Sequence, residues 1–295
     1  MTYGAAFRSR IESNEILVAP GVHDPLSARI AEQVGFESVA MTGNGTSLSK
    51  IGRPDVGVMT LSEMVENATY IQETVDVPVI SDADNGFGNA VNVERTVREF
   101  ARAGVAAVHI EDQTFPKRCG FVAGKRVISR EEAVGKIRAA AAARDEHAPD
   151  MVIIARTDAR GAADGSLEEA IDRVNAYCEA GADVAFVQGA ADVPELERVV
   201  ESVDFPTLYN CSGGSPIVSI ERAESLGYDV VMFPRMSTLP TIEVLFERYG
   251  RLHDAGMDGW RETKAAFEDV PVESYDAFAG VPAVLEWEDE YLPDP

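Results

Sequence analysis

Residues 107–121, AVHIEDQTFPKRCGF, are the stretch on which the fold turns. Ala107, Val108, His109 and Ile110 close a short apolar run that follows small residues. A run of that length without alternation suits a strand buried on both faces. Its carboxyl end delivers Glu111 and Asp112, a carboxylate pair suited to a hard metal ion. The Pro-interrupted loop that follows carries Lys117, Arg118 and Cys119, so a thiol sits beside two cations that favour its thiolate or tune it as an acid. Gly120 frees the backbone to close on a ligand.

The same pattern recurs along the chain. Strands are expected at 16–19, 38–41, 77–80, 107–110, 152–155, 184–187, 206–209 and 229–233. Amphipathic helices are expected between them, near 25–34, 61–75, 91–103, 130–144, 167–179, 192–202, 218–226 and 236–253. Eight strand-helix units predict an α/β protein with a closed (β/α)8 TIM barrel over residues 1–255 and a C-terminal helical extension over 256–295. A doubly wound open sheet is the alternative, but the first turn, Pro20-Gly21-Val22-His23, holds neither GxGxxG nor a Walker lysine.

A barrel places its site at the carboxyl ends of its strands. Those ends carry Thr42 and Gly43, Asp82 and Asp84, Glu111 and Asp112, Arg156 and Asp158, Gln188, Asn210 with Ser212, and Arg235. If the third strand persists to residue 84, its period of two puts Asp82 and Asp84 on one face, where they repel unless a cation lies between them. Arg156 is expected to point a permanent cation into the mouth or to lie in a buried ion pair with Asp158 or Glu111. The 112–129 loop is long for its place and reads as a lid.

Bulk composition bounds the rest. The 295-residue chain is 45% hydrophobic, enough for a sizeable core, and no apolar run is long enough for a membrane span. Charges in MTYGAAFRSRIESNE stand where a secretory leader needs an apolar core, and Cys119, Cys178 and Cys211 are too few and irregular for a disulfide framework, so a reducing cytoplasm is expected. The net charge of −24 disfavours nucleic-acid binding and suggests a halophilic source. Only five of 26 basic residues are lysines, and Lys117 and Lys125 both fall in or beside the loop. His23, His147 and His253 read as incidental and Cys178 as core. The segment after residue 265 is rich in Pro and acid yet carries Trp287 and Tyr291, which implies docking on its own barrel or on a partner subunit.

With these motifs assembled, the chain resembles the isocitrate lyase and phosphoenolpyruvate mutase superfamily over about residues 5–255. The resemblance rests on PKRCG at 116–120, DADNGFG at 82–88, HIEDQ at 109–113 and ARTDA at 155–159. The KRCG cysteine and the short chain look most like the 2-methylisocitrate lyases. The resemblance implies a Mg2+-dependent retro-aldol cleavage of a 2-hydroxy di- or tricarboxylate, with 2-methylisocitrate to pyruvate and succinate foremost. Isocitrate, 2,3-dimethylmalate and oxaloacetate are the alternative substrates; a phosphonate-branch enzyme or a non-catalytic 2-oxo acid binder is a further alternative. It also implies Asp84 on Mg2+, or Mn2+ in its place, with Asp55, Asp82 and Glu111 holding the ion through water. Cys119 would be the acid, its pKa set by Lys117 and Arg118, and Arg156 would steady the oxyanion. Thr42, Gly43, Gly120, Gln188, Asn210 and Ser212 would bind substrate, and a homotetramer would exchange its C-terminal helix. The chain departs from the lyases at Phe121, Gln188 and Ala40, where they generally carry His, Glu and Tyr.

Overall fold

Helix starts are set locally. Asp24, Thr60 and Asn89 accept the amide three or two residues on, at Ser27, Glu63 and Val91, while the side chains of Ser27, Glu63 and Asn92 return a bond to the cap. These reciprocal bonds satisfy amides that a helix otherwise leaves open. The computed structural model describes residues 1–13, 15–120 and 123–293. Phe121 lies outside them.

The chain opens with α1 (Tyr3–Ile11), β1 (Leu17–Val22), α2 (Pro25–Val34) and β2 (Val39–Met41). Two helices, α3 (Gly43–Ile51) and α4 (Leu61–Thr74), lead to β3 (Val79–Asp82), α5 (Ala90–Arg102) and β4 (Ala107–Glu111). Then come α6 (Arg130–His147), β5 (Val152–Thr157), α7 (Leu167–Glu179) and β6 (Val184–Val187). The last strands are β7 (Leu208–Asn210) and β8 (Val230–Phe233), with α8 (Val193–Ser202) before β7 and α9 (Ile220–Leu226) between them. Beyond lie α10 (Thr238–Ala255), α11 (Met257–Phe267), α12 (Tyr275–Ala279) and α13 (Val281–Tyr291).

All strand pairs are parallel, in the order β6-β5-β4-β3-β2-β1-β8-β7. A single bridge, Ala185 with Thr207, brings β6 to β7, and the Ala185 amide donates to Pro206 O at 2.8 Å. The architecture is the expected (β/α)8 barrel. Two corrections concern α1 and α3, neither of which the sequence reading expected, and a third shifts strand limits: β1, β3 and β5 run two or three residues further than anticipated.

Alternation divides the core into two shells. One cluster fills the barrel, with Leu17, Ala19, Ile80, Ile154, Phe186, Leu208 and Val230 among its members. Phe7 and Ile11 of α1 belong to that interior cluster. Arg8 donates to Asp150 O at 2.9 Å and Met151 O at 2.7 Å, just before β5, and its guanidinium pairs with Asp183 at 2.8 Å, just before β6. Helix α1 therefore stops the amino-terminal end of the barrel. The second cluster, with Met64, Ile71, Val97, Phe100, Ile137 and Tyr177, lies between strands and outer helices.

The chain divides into compact units at Met1–Leu239 and Pro240–Pro295. Within the second, Arg251 grips Glu262 with two bonds of 2.8 and 2.6 Å. Phe246, Trp260, Trp287 and Tyr291 are exposed. Among the described residues no helix is long and apolar enough to cross a membrane.

Candidate active site

The inward-facing stripe that is apolar at the bottom of the barrel turns polar at the top. Ile80 is followed two positions on by Asp82, Ile154 by Arg156, Phe186 by Gln188 and Leu208 by Asn210. Strand register sets their neighbours: Asp82 stands beside His109, and Glu111 beside Arg156. These ends surround a pocket of about 480 Å³ lined by Thr42, Gly43, Asp55, Asp82, Cys119, Gly120, Arg156, Gln188, Asn210 and Ser212, with His109 and Arg235 also on its wall. Ten of the fourteen residues singled out for the site thus line one cavity; Asp84, Glu111 and Lys117 lie buried beneath it.

Asp84 reaches its place by a route other than the expected one. Strand β3 ends at Asp82, and Asp84 adopts a left-handed φ of 48°. The turn is held because the Asp84 amide donates to Asp82 Oδ1 at 2.9 Å and the Asp84 carbonyl accepts from the Glu111 amide at 2.9 Å. A non-glycine residue in that region costs energy and persists when its surroundings over-determine it. Gly43 makes the close approach on the other side. Its amide donates to Asp82 Oδ2 at 3.0 Å, and a Cβ there would stand 2.6 Å from the same oxygen. Gly43 also opens α3, whose cap Thr42 accepts from the Gly45 amide. A helix amino terminus beside the pocket favours a carboxylate ligand.

Five buried carboxylates, Asp55, Asp82, Asp84, Glu111 and Asp158, face three buried cations, Lys117, Lys125 and Arg156. Lys117, only 3% exposed, pairs with Asp55 and, at 2.6 Å, with Asp84. Arg156 joins Glu111 at 3.2 Å and Asp158 at 2.9 Å, so it lines the pocket and is ion-paired at once. Burial would raise Asp82, but nearby cations and the Asp84 amide hold it at about 2. Asp84 goes the other way: burial, with Asp82 and Asp55 adding to it against Lys117, lifts it to about 6. Burial raises Glu111 well above the carboxylate range, with Asp158 adding and Arg156 opposing. Burial lowers His109 to about 4, leaving a neutral imidazole at pH 7.

Glu111 Oε1 is buried with no hydrogen-bond partner, an oxygen that a bound cation would satisfy. Among the described residues no three His, Cys, Asp or Glu groups converge on one point, because the Lys117 ammonium lies between Asp55 and Asp84. One orphaned carboxylate oxygen among carboxylates already engaged by Lys117 and Arg156 fits an ion that takes few protein oxygens directly and keeps much of its water, as Mg2+ does.

The loop differs from the expected arrangement around Cys119. Lys117 turns to the carboxylates, and Arg118 donates to the Ala123 carbonyl, so both cations have partners other than the thiol. Bonds from the Thr114 amide to Arg126 O and from the Ile128 amide to Asp112 O, both 2.9 Å, staple the base of the loop. On the far wall, Asn210 Nδ2 donates to Gln188 Oε1 at 2.9 Å, leaving Gln188 Nε2 and Asn210 Oδ1 without partners. Ala40, the third departure, is buried in the interior cluster. Sequence reading missed His109 as a wall residue, although it is the one histidine of the chain within an expected strand. Asp112, expected beside the metal, instead accepts from Thr157, Arg173, Tyr177 and the Asp158 amide.

A barrel with carboxylates, an arginine and a thiol at its carboxyl end has the makings of an active site, and comparison says which proteins it is similar to. The sequence pattern of the phosphoenolpyruvate phosphomutase family matches residues 7–246. The chain is 41% identical over 272 residues to 2,3-dimethylmalate lyase of Eubacterium barkeri, covering 91% of this chain and 93% of that one. It is 45% identical over 233 residues to 2-methylisocitrate lyase of Aeropyrum pernix, covering 78% and 73%. The structure of a phosphonopyruvate hydrolase complexed with oxalate and Mg2+ superposes with a TM-score of 0.88 at 32% identity, over 99% and 100% of the two chains. The chain belongs to the phosphoenolpyruvate mutase and isocitrate lyase superfamily, and it is an enzyme of the carbon–carbon lyase kind.

Proposed function

We propose that the chain is a Mg2+-dependent lyase that splits a 2-hydroxy di- or tricarboxylate by retro-aldol cleavage, with 2-methylisocitrate to pyruvate and succinate as the leading reaction and 2,3-dimethylmalate as the nearest alternative. The observation that carries this reading is that Cys119, Arg156 and the carboxylates Asp55 and Asp82 line one pocket. Asp84 would hold the ion, with Asp55, Asp82 and Glu111 reaching it through water. Bound there, Mg2+ supplies Lewis-acid stabilisation of the oxygens that gain charge.

The chain's own groups do the rest. Thr42 and Gly43 at the start of α3 receive the carboxylate of the oxo acid fragment, and Asn210 and Ser212 the distal one. The bond between C2 and C3 breaks with its electron pair passing to C3, while the C2 hydroxyl gives its proton to a carboxylate of the pocket wall and becomes a carbonyl. Arg156 steadies the negative charge on oxygen. Cys119 Sγ–H protonates C3. Gly120 allows the loop backbone to rest on Arg156 and Gln188.

Steady-state turnover on a panel of 2-methylisocitrate, 2,3-dimethylmalate, isocitrate and oxaloacetate, with and without EDTA, tests the reading. No cleavage of any member, or cleavage indifferent to chelation, defeats it. The assay belongs in molar KCl, since a chain at −24 suits a salt-rich cytoplasm. The exposed Phe246, Trp260 and Trp287 support a further proposal, a homotetramer that exchanges its C-terminal helix. Light scattering that finds a monomer overturns it.

A further inference from the structure

Lys125 takes no part in the chemistry above, yet it is 4% exposed in a chain with five lysines. A buried ammonium persists only where several acceptors replace its water. Lys125 Nζ donates at 2.6 Å to the carbonyl of Gly120 and at 2.6 Å to Asp158 Oδ1. Asp158 is 0% exposed, and it also accepts from Arg156 Nε at 2.9 Å and Arg156 Nη2 at 3.3 Å. Its own amide is fixed by Asp112 Oδ1 at 2.9 Å. Asp158 is thus a common anchor for the arginine of the pocket and for the lysine that holds the loop.

The loop has no slack at this point. A Cβ on Gly120 would lie 2.6 Å from Arg156 Nη2 and 2.9 Å from Gln188 Cδ, so the backbone itself rests on those two side chains. One residue before the thiol, the Arg118 amide donates to Gln113 Oε1 at 3.0 Å and the Arg118 carbonyl accepts from Gln113 Nε2 at 2.8 Å. Cys119 is therefore suspended between a clamp at 118 made by Gln113 and a clamp at 120 made by Lys125.

We propose that Lys125 is a positioning residue that seats the Cys119–Gly120 backbone against Arg156 through their shared partner Asp158. Its effect on turnover rests on the reading of Cys119 as the proton donor; its effect on the loop does not.

The test replaces the ammonium and keeps the stem. Displacing a reacting group by about 1 Å costs up to about a hundredfold, so Lys125→Met should lower kcat by roughly tenfold to a hundredfold with KM within about threefold of wild type. Alkylation of Cys119 by iodoacetamide, mapped by mass spectrometry, should quicken by about fivefold once the loop is untied. Lys125→Arg, which can still bridge a carboxylate and a carbonyl, should recover most of both losses. A Lys125→Met enzyme with wild-type kcat and wild-type alkylation overturns the proposal. So does a Lys125→Arg enzyme as impaired as Lys125→Met, which would assign the residue to packing alone. If Lys125→Met does not fold by circular dichroism, Lys125→Gln takes its place under the same criteria. If the wild type turns over no acid of the panel, the functional reading fails, and the alkylation comparison still decides the role of Lys125.

Discussion

The two walls of the pocket are built from opposite materials. On one side Asp55, Asp82, Asp84, Glu111 and Arg156 are ionisable, buried and tied into a web in which Lys117 and Asp158 each serve two partners. On the other, Gln188 and Asn210 are neutral and joined to each other by one bond, leaving one donor and one acceptor turned loose. A web of charges in a dry site is over-determined, and removing any member strands another. A pair of amides can be exchanged at modest cost. The difference assigns the reaction to the first wall and the choice of substrate to the second.

The sharpest way to break this division is at Asp84. Asp84→Ala should abolish Mg2+ binding measured by calorimetry and lower kcat by about 10³-fold, the scale expected for loss of a preorganised charge-stabilising group. EDTA should match that loss in the wild type, and Mg2+ or Mn2+ should reverse it. Tight Mg2+ binding by Asp84→Ala would move the ion elsewhere. Next in size is Cys119→Ser, expected to lower kcat by about a hundredfold while pyruvate and Mg2+ bind as before. A serine enzyme of normal rate would show the thiol to be a bystander.

The neutral wall should respond in selectivity before it responds in rate. An unmatched carboxylate partner costs on the order of 1–3 kcal/mol, so kcat/KM should favour 2,3-dimethylmalate, with two carboxylates, over isocitrate, with three, by roughly tenfold or more. Gln188→Glu, which puts an anion where the free Nε2 donor stands, should widen that ratio. Isocitrate as the best wild-type substrate would mean that the second wall does not choose. The smallest effect is expected outside both walls, at Thr60, which caps α4: Thr60→Ala should lower stability by about 1 kcal/mol, read as a urea midpoint shift at constant slope.

What the sequence made legible follows the range of the interactions concerned. Helices α2 and α7 fall on the expected residues because their caps, Asp24 and Ser166, act within three positions. Helix α3 is hidden, since GNGTSLSKI carries two glycines and five residues that compete for the backbone or are β-branched, and its cap alone does not announce it. The strand ends were readable as a list because a barrel gathers them whatever the loops do. The partners of Lys117 were not, for Asp55 lies sixty-two positions away and only the folded loop brings the two together. Asp84 fell between these cases: its presence at the site follows from DADNGFG, but its left-handed turn depends on bonds to Asp82 and Glu111 across two strands.

Helix α1 makes the barrel a vessel with a single mouth. With Phe7 and Ile11 seated among Leu17, Val152, Val184 and Val230, the lower end is sealed by hydrocarbon, and Arg8 fastens the seal to the chain entering β5 and β6. Water and solutes can then reach the charged wall from one direction only. The low-polarity floor keeps the field of the buried carboxylates from leaking downward, so whatever cation they attract is drawn in through the same opening as the acid it must meet.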